Sequence, residues 1–271
     1  MGPHEIARAA LVFDAAEAPA MVDRLMSPPA TRRWKALTTD GGFALASLSE
    51  RDPAIGHLDL LAVHPDAQGR GRGRELVAAA EEWLRAEGAT QARFAGNPPA
   101  YAWPGIDVRY TAAACLAESA GYERYNVAWN MTARLPVTAE EEPLPAGVEL
   151  HATGPDEDRS DVAAFVEREW NTSWAWEAAN ATGLHHATLD GEIVAFAAWG
   201  ARPTWFGPMG TAPAARGLGL GGVLLRRCLA DQHATGLSEA QIGWVGPLRF
   251  YSRAVGARAE RVFWLYQRDL R

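Results

Sequence analysis

Two stretches decide how this chain reads: Val63-His64-Pro65-Asp66-Ala67-Gln68-Gly69-Arg70-Gly71-Arg72-Gly73 and Thr211-Ala212-Pro213-Ala214-Ala215-Arg216-Gly217-Leu218-Gly219-Leu220-Gly221. An offset of 148 lays Pro65 on Pro213 and Gly69, Gly71 and Gly73 on Gly217, Gly219 and Gly221, and it continues through Leu76 to Leu224 and Gly88 to Gly236. A second offset of 135 lays Gly121 on Gly256, Val127 on Val262, Trp129 on Trp264 and Leu135 on Leu270. The two offsets differ by 13 residues (148 against 135), which places an insertion in the first half, in the Pro- and Gly-containing stretch Asn97 to Arg109. A repeat of this length reads as one folding unit used twice. The expected organisation is a first domain over 1–135, a linker over 136–147 and a second domain over 148–271. Pro136, Pro143 and Pro145 around Glu140-Glu141-Glu142 mark the linker.

Each half alternates strand and helix signals. Phe43 to Leu48 and His57 to Val63 are short apolar runs separated by turn residues, as in a hairpin. After the glycines, Leu76, Val77, Ala80, Trp83 and Leu84 recur at helical spacing up to Gly88, and Val223, Leu224, Cys228 and Leu229 do so up to Gly236. Gln91 to Phe94, Ala240 to Val245, Val127 to Met131 and Val262 to Tyr266 read as strands, and Trp170, Trp174 and Trp176 as one helical stretch. The fold class is α/β in the α+β sense: two tandem domains, each a mixed, mostly antiparallel sheet flanked by helices.

Composition bounds the chemistry. The 271 residues carry 26 Lys+Arg against 33 Asp+Glu, a net charge of −7, which argues against a nucleic-acid binder. With only Cys115 and Cys228, neither a disulfide framework nor a cysteine-rich zinc site is expected, and both thiols read as small buried residues of a cytoplasmic protein. Met1-Gly2-Pro3-His4-Glu5 does not look like a signal peptide, and no apolar run is long enough to span a membrane. His185 and His186 lack the ligand spacing of a metal site, so no metal is expected.

Both glycine loops follow an apolar strand and open a helix. Backbone N–H groups gather there without side chains to hold a ligand away, a nest suited to phosphate. The bland alternative is a tight strand-to-helix turn. A Walker loop is excluded because no Gly-Lys-Ser/Thr occurs. Gly217, Gly219 and Gly222 fit the dinucleotide pattern, but the next strand ends near Trp244 and Val245 without an acidic residue, and Arg74 breaks the pattern in the first copy.

The pattern that fits both copies is Gln/Arg-x-x-Gly-x-Gly after a strand and a proline, at Gln68 and Arg216. In this the chain resembles the GNAT superfamily of N-acetyltransferases, and its duplication resembles the tandem members. The resemblance implies acetyl-CoA as co-substrate and a small-molecule primary amine as acceptor, in a monomer or homodimer. It implies pyrophosphate on the amides and heads of the loops, Gln68, Gly69, Arg70, Gly71, Arg72 and Gly73, or Arg216, Gly217, Leu218, Gly219, Leu220 and Gly221. Pantetheine would pair with Leu61, Ala62 and Val63, or with Met209, Gly210 and Thr211.

Acetyl transfer to an amine needs a neutral nucleophile, a polarised carbonyl and a proton for the departing thiolate. The superfamily often uses a Tyr in Phe-Tyr-x-x-x-Gly as the acid. Here Phe250-Tyr251-Ser252-Arg253-Ala254-Val255-Gly256 holds one extra residue, and the first half has Leu116 and Ala117 instead. Tyr251 is the acid candidate, with a packed aromatic as the alternative. His57 and Asp59 alternate on the strand before the first loop and so share a face, making both base candidates against the alternative of a solvated strand face. Which half works stays open at this point, as does the reading of the chain as a silent acyl-CoA sensor or scaffold.

Overall fold

The computed structural model describes residues 1–137 and 143–271, so the acidic run Glu140-Glu141-Glu142 lies outside the described residues. In chain order the elements are α1 (Pro3–Ala10), α2 (Ala18–Met26), β1 (Trp34–Thr39), β2 (Gly42–Leu48), β3 (Ile55–Val63), α3 (Arg72–Ala86), β4 (Gln91–Phe94), β5 (Ile106–Asp107), α4 (Thr111–Ser119) and β6 (Glu123–Arg134). They continue with β7 (Val148–Thr153), α5 (Ser160–Glu169), α6 (Thr172–Ala179), β8 (Gly183–Leu189), β9 (Glu192–Trp199), β10 (Trp205–Thr211), α7 (Leu220–Ala234), β11 (Glu239–Ile242), α8 (Leu248–Val255) and β12 (Arg258–Asp269).

Two compact units emerge, and their boundaries differ from the sequence-based cut at 135 and 148. One unit is Met1–Trp129 together with Arg261–Arg271; the other is Asn130–Glu260. The reason lies in the last strand of each sheet. β12 pairs antiparallel with β4, Gln267 opposite Arg93, so the end of the chain closes the first unit. The last residues of β6 pair antiparallel with β11, Met131 opposite Ile242, so a strand begun in the first half closes the second. A repeat offset reports which residues are alike, but edge pairing is non-local, and the two need not agree.

Within unit 1, β1, β2 and β3 form an antiparallel meander, and β3 then pairs parallel with β4 from Ile55–Gln91 to Leu58–Phe94. One face of this sheet is covered by α1 and α2, whose Ile6, Leu11, Met21, Val22 and Leu25 pack with Phe43, Leu45, Leu60 and Phe263. The other face is covered by α3 and α4, with Val77, Ala80, Leu84 and Ala117 against Leu48, Leu58, Phe94 and Tyr266. Alternation along the strands sends successive side chains to these two layers, and a register shift in β3 puts Leu58 and Leu60 in different ones.

Unit 2 repeats the plan. β7, β8, β9 and β10 run antiparallel, and β10 pairs parallel with β11 through Trp205–Gln241 and Phe206–Ile242. Val162, Phe165 and Val166 of α5 and Ala175 and Ala178 of α6 pack on Leu184, Phe196 and Ala198. Leu224, Leu225, Cys228 and Leu229 of α7 are fully buried. The tryptophan stretch is not one helix: α5 ends with Trp170 as its C-cap, and Asn171 restarts α6 by accepting from the Trp174 N–H at 2.9 Å. Cys115 also departs from expectation, being exposed on α4, while Cys228 is buried as read.

The α3–β3 approach is close enough to need a missing side chain. A Cβ on Gly56 would stand 2.3 Å from Leu84 Cδ2, in a core where Leu84 is fully buried. Gly56→Ala is expected to destabilise the protein by about 1–3 kcal/mol through overpacking, read as a lower midpoint in urea with an unchanged slope.

Candidate active site

The opening in unit 1 is built by strand divergence. Parallel pairing of β3 with β4 ends at Leu58–Phe94, with a last bond from Ala95 N–H to Leu58 O at 2.8 Å. Beyond it β3 keeps only β2 as a partner, through Leu60–Leu45 to Val63–Gly42. The freed edge borders a cavity of about 790 Å³ lined by Leu58 to Val63, the glycine loop, and Trp103, Arg109 and Tyr110. Ala9 to Phe13 at the end of α1 add an apolar wall.

At the loop, Gly69 and Gly71 take φ of +72° and +82°, a region open to glycine at little cost. The amides of Gly69, Arg70, Gly71, Arg72, Gly73 and Arg74 donate to no protein acceptor among the described residues; the first helical bond is Glu75 N–H to Gly71 O at 3.0 Å. Six free donors therefore stand at the positive end of a 15-residue helix. The Gln68 Nε2 donates to Val63 O at 2.9 Å and so ties the head of the loop back to the end of β3.

Unit 2 has a matching cavity of about 1180 Å³, lined by Phe206 to Met209, Thr211, the second glycine loop, Trp170, Trp174, Phe250 and Tyr251. The amides of Gly217, Leu218, Gly219, Leu220 and Gly221 donate to no protein acceptor among the described residues, and Gly222 N–H returns to Gly219 O at 3.0 Å. Arg216 is exposed at the head of this loop, and Arg226 of α7 also lines the cavity.

The three catalytic candidates are divided between the two units. Tyr251 lines the unit 2 cavity, where its ring packs edge-on against Phe206 and Phe250 and burial pushes its phenol up to about 12. Asp59 lines the unit 1 cavity. His57 lines neither: its Nδ1–H donates to Ala95 O at 2.7 Å, tying β3 to the point where the strands part. Burial lowers its pKa to about 4, against that hydrogen bond and with help from the charges of Arg93 and Arg32, so the ring is neutral at pH 7. Of the two base candidates, Asp59 lines the cavity and His57 does not.

Asp59 owes its position to a β-bulge. The ladder steps from Leu45–Leu60 to Ala46–Leu58, so Asp59 is an extra residue with no partner on β2. It is 6% exposed; Oδ2 accepts from Ser47 Oγ at 2.5 Å, and Oδ1, itself buried, has no hydrogen-bond partner among the described residues. Burial pushes its pKa up to about 7, more than the Ser47 hydrogen bond and the Arg32 charge pull it down. In unit 2 the bulge recurs between Phe206 and Met209, and the offset of 148 puts Gly207 where Asp59 stands and Pro208, which has no N–H, where Leu60 stands. No carboxylate or histidine lines the second cavity among the described residues.

The wall of the first cavity is pinned by a buried ionic network that the sequence reading missed. Arg261 donates to both oxygens of Asp14, at 2.7 and 3.0 Å, and to Asp107 Oδ2 at 2.9 and 2.7 Å. Arg109 adds a second fork to Asp107, and Tyr110 Oη donates to Asp14 at 2.8 Å. No single motif joins positions 14, 107 and 261, although Asp107 and Arg109 lie in the recognised insertion. His185 is likewise occupied structurally, at 2.6 Å from Asp231, and no group of three or more metal-ligating side chains occurs among the described residues.

The acetyltransferase (GNAT) family profile matches residues 39–103, the span that holds β2, β3, the bulge, the loop and α3. This span of unit 1 matches the GNAT acetyltransferase domain. Mycothiol acetyltransferases are similar at modest identity: that of Salinispora arenicola is 33% identical over 134 residues, 48% of this chain and 39% of that protein. That of a Nocardioides species is 33% identical over 174 residues, 60% of this chain and 50% of that protein. The matched stretch thus spans half or less of these relatives. Among solved structures, a tandem GNAT protein from the clavulanic acid biosynthesis pathway superposes with a TM-score of 0.72 at 20% identity, over 99% of this chain and 94% of that one. A GCN5-related N-acetyltransferase from Sphaerobacter thermophilus superposes with 0.67 at 20%, over 100% and 94%. The whole chain therefore has the tandem GNAT fold, including unit 2, which the family profile does not reach.

Because the folded GNAT domain holds the Asp59 proton more tightly than the unfolded chain, this group's contribution to stability is complete below about pH 4. It falls as pH rises through about 7. Asp59→Asn is expected to remove that slope, so that its melting temperature gains on the wild type between pH 5 and pH 8.

Proposed function

We propose that the chain is an acetyl-CoA-dependent N-acetyltransferase that acetylates the primary amine of a small molecule by direct attack on the thioester, with unit 1 as the working half. The observation that carries this is the coincidence, in one cavity among the described residues, of a freed strand edge, six amides without protein acceptors and a buried carboxyl with one unpartnered oxygen. The amides of Gly69 to Arg74 would hold the diphosphate, and Leu61, Ala62 and Val63 the pantetheine arm. When bound, acetyl-CoA supplies the activated acyl group. Asp59 takes the proton of the attacking amine, directly or through water, and a base with a pKa near the working pH is matched to that task. Ala9 to Phe13 would give the acceptor an apolar surface to pack against.

The charges around the cavity bear on the acceptor. Asp107 is committed to Arg109 and Arg261, which leaves Asp59 as the only lining carboxylate not ion-paired among the described residues. Polyamines and amino sugars with several ammonium groups need several such anions, so a monoamine suits the cleft better. The free thiols Cys115 and Cys228 and the lack of any helix long and apolar enough to cross a membrane, among the described residues, fit a cytoplasmic enzyme.

A second reading, a silent acyl-CoA binder, is favoured for unit 2 alone. Its cavity keeps five free amides but has Gly207 in place of the base.

Calorimetry with acetyl-CoA and thiol release across a panel of primary amines test the proposal together. Binding is expected, and Gly71→Ala should weaken it about tenfold or more, since a side chain at φ +82° strains the backbone and would distort the nest of amides. Asp59→Asn should cut kcat/KM by about a hundredfold while leaving acetyl-CoA affinity unchanged. In the wild type kcat/KM should rise with pH through a limb near 7, separate from the limb set by the acceptor's own pKa. Binding without thiol release for any amine would make the chain a sensor; absence of binding would remove both readings.

A further inference from the structure

Unit 1 devotes a buried chain of polar side chains to the carboxyl at the bulge, and its donors all point one way. Asn97, 1% exposed, uses both Nδ2 hydrogens: one goes to Leu48 O at 3.2 Å, the other to Ser47 Oγ at 2.8 Å. Because Leu48 O is a carbonyl and only accepts, the atom facing it is the amide nitrogen, which fixes the orientation of Asn97. Ser47 Oγ is thereby an acceptor from Asn97, and its single hydrogen goes to Asp59 Oδ2.

Asn97 is itself held from outside. The buried guanidinium of Arg32 donates to the carbonyls of Asn97 and Ala100, each at 2.9 Å, and to that of Pro98, and is anchored to Glu50 at 3.2 Å.

We infer that Ser47 and Asn97 are positioning residues for Asp59, forming a one-way hydrogen-bond chain that keeps Oδ2 as an acceptor and leaves Oδ1 as the atom that takes the acceptor's proton. This rests on Asp59 being the base of the proposed transferase. A carboxylate is stabilised by a donor aimed at it, so the chain also sets how readily Asp59 ionises. The other charged or titratable groups around it are Arg32, whose cation favours the ionised form, Glu50 beyond that arginine, and neutral His57 on the same strand with Arg93 beside it.

The molecule contains its own control. In unit 1, Ser47 follows Ala46, the partner of Leu58; in unit 2, Phe206 holds the place of Leu58 and its partner Trp199 is followed by Gly200. Gly207 replaces the carboxyl and Gly200 the hydroxyl, so the base and its support are missing together.

The test is the pH dependence of kcat/KM in Ser47→Ala, Ser47→Thr and Asn97→Ala, alongside 13C NMR titration of the Asp59 carboxyl. Losing a hydrogen bond to a charged group is expected to move the limb near 7 upward by about one pH unit or more in Ser47→Ala. The variant would then be about tenfold slower at pH 6.5 to 7 and return towards wild-type activity near pH 9. Ser47→Thr should keep the wild-type limb, Asn97→Ala should move it less than Ser47→Ala, and acetyl-CoA affinity should not change. An Asp59 titration that stays put in Ser47→Ala and Asn97→Ala, with only the melting temperature lowered, would overturn the inference. If the NMR titration moves but Asp59→Asn retains the kinetic limb, the chain stands as described and the assignment of Asp59 as base has failed. Asn97→Ala with the NMR readout serves if Ser47→Ala does not fold.

Discussion

Parallel pairing between β3 and β4 lasts four residues and then stops, and the backbone released there needs partners that the sheet no longer supplies. A buried peptide group without a hydrogen bond costs free energy, so a strand edge exposed inside a fold is tolerated where something else can bond to it. The other parts of the site stand in fixed relation to that divergence. His57 fastens its apex by bonding Ala95, the bulge at Asp59 sits one residue beyond the last pair, and the glycine loop follows from the strand's open end. Unit 2 parts its strands at the corresponding place, after Phe206 and Ile242, with Gly243 N–H bonding Phe206 O in the same manner.

The two units therefore share an architecture but not a chemistry. Both keep the free amides and both keep the bulge, which are backbone features that tolerate changes of side chain. What separates them is side-chain content: a carboxyl with a serine, an asparagine and an arginine arrayed behind it in one, and glycines at the matching strand positions in the other. The aromatic ring of Tyr251 in unit 2 shares its cavity with no carboxylate or histidine among the described residues.

Much of this was legible in the chain itself. The paired loops, the hairpins before them and the helices after them follow from glycine spacing and apolar periodicity, which are local signals, and the 148 offset already placed Gly207 against Asp59. The non-local parts were hidden. Nothing in Val262 to Tyr266 says that this strand closes the first sheet, because Val127 to Met131 carries the same pattern. His57 and Asp59 looked equivalent by alternation, and only the bulge separates them. Ser47 left a faint trace, a hydroxyl in the otherwise apolar run Phe43 to Leu48, whereas Asn97 lay in an insertion whose purpose could not be read from composition. Trp170 and Trp174 share a helical spacing, yet a side-chain cap at Asn171 divides them.

The ionic network around Arg261 has a bearing on how the protein comes into being. Asp14 and Asp107 are made early, while the guanidinium that neutralises both arrives only after the whole of Asn130–Glu260 has been synthesised. Until then the nascent first half carries two carboxylates without their main counter-ion and a sheet without its final strand. On the ribosome, the unit that bears Asp59 would be completed after the unit encoded behind it, although its codons are read first.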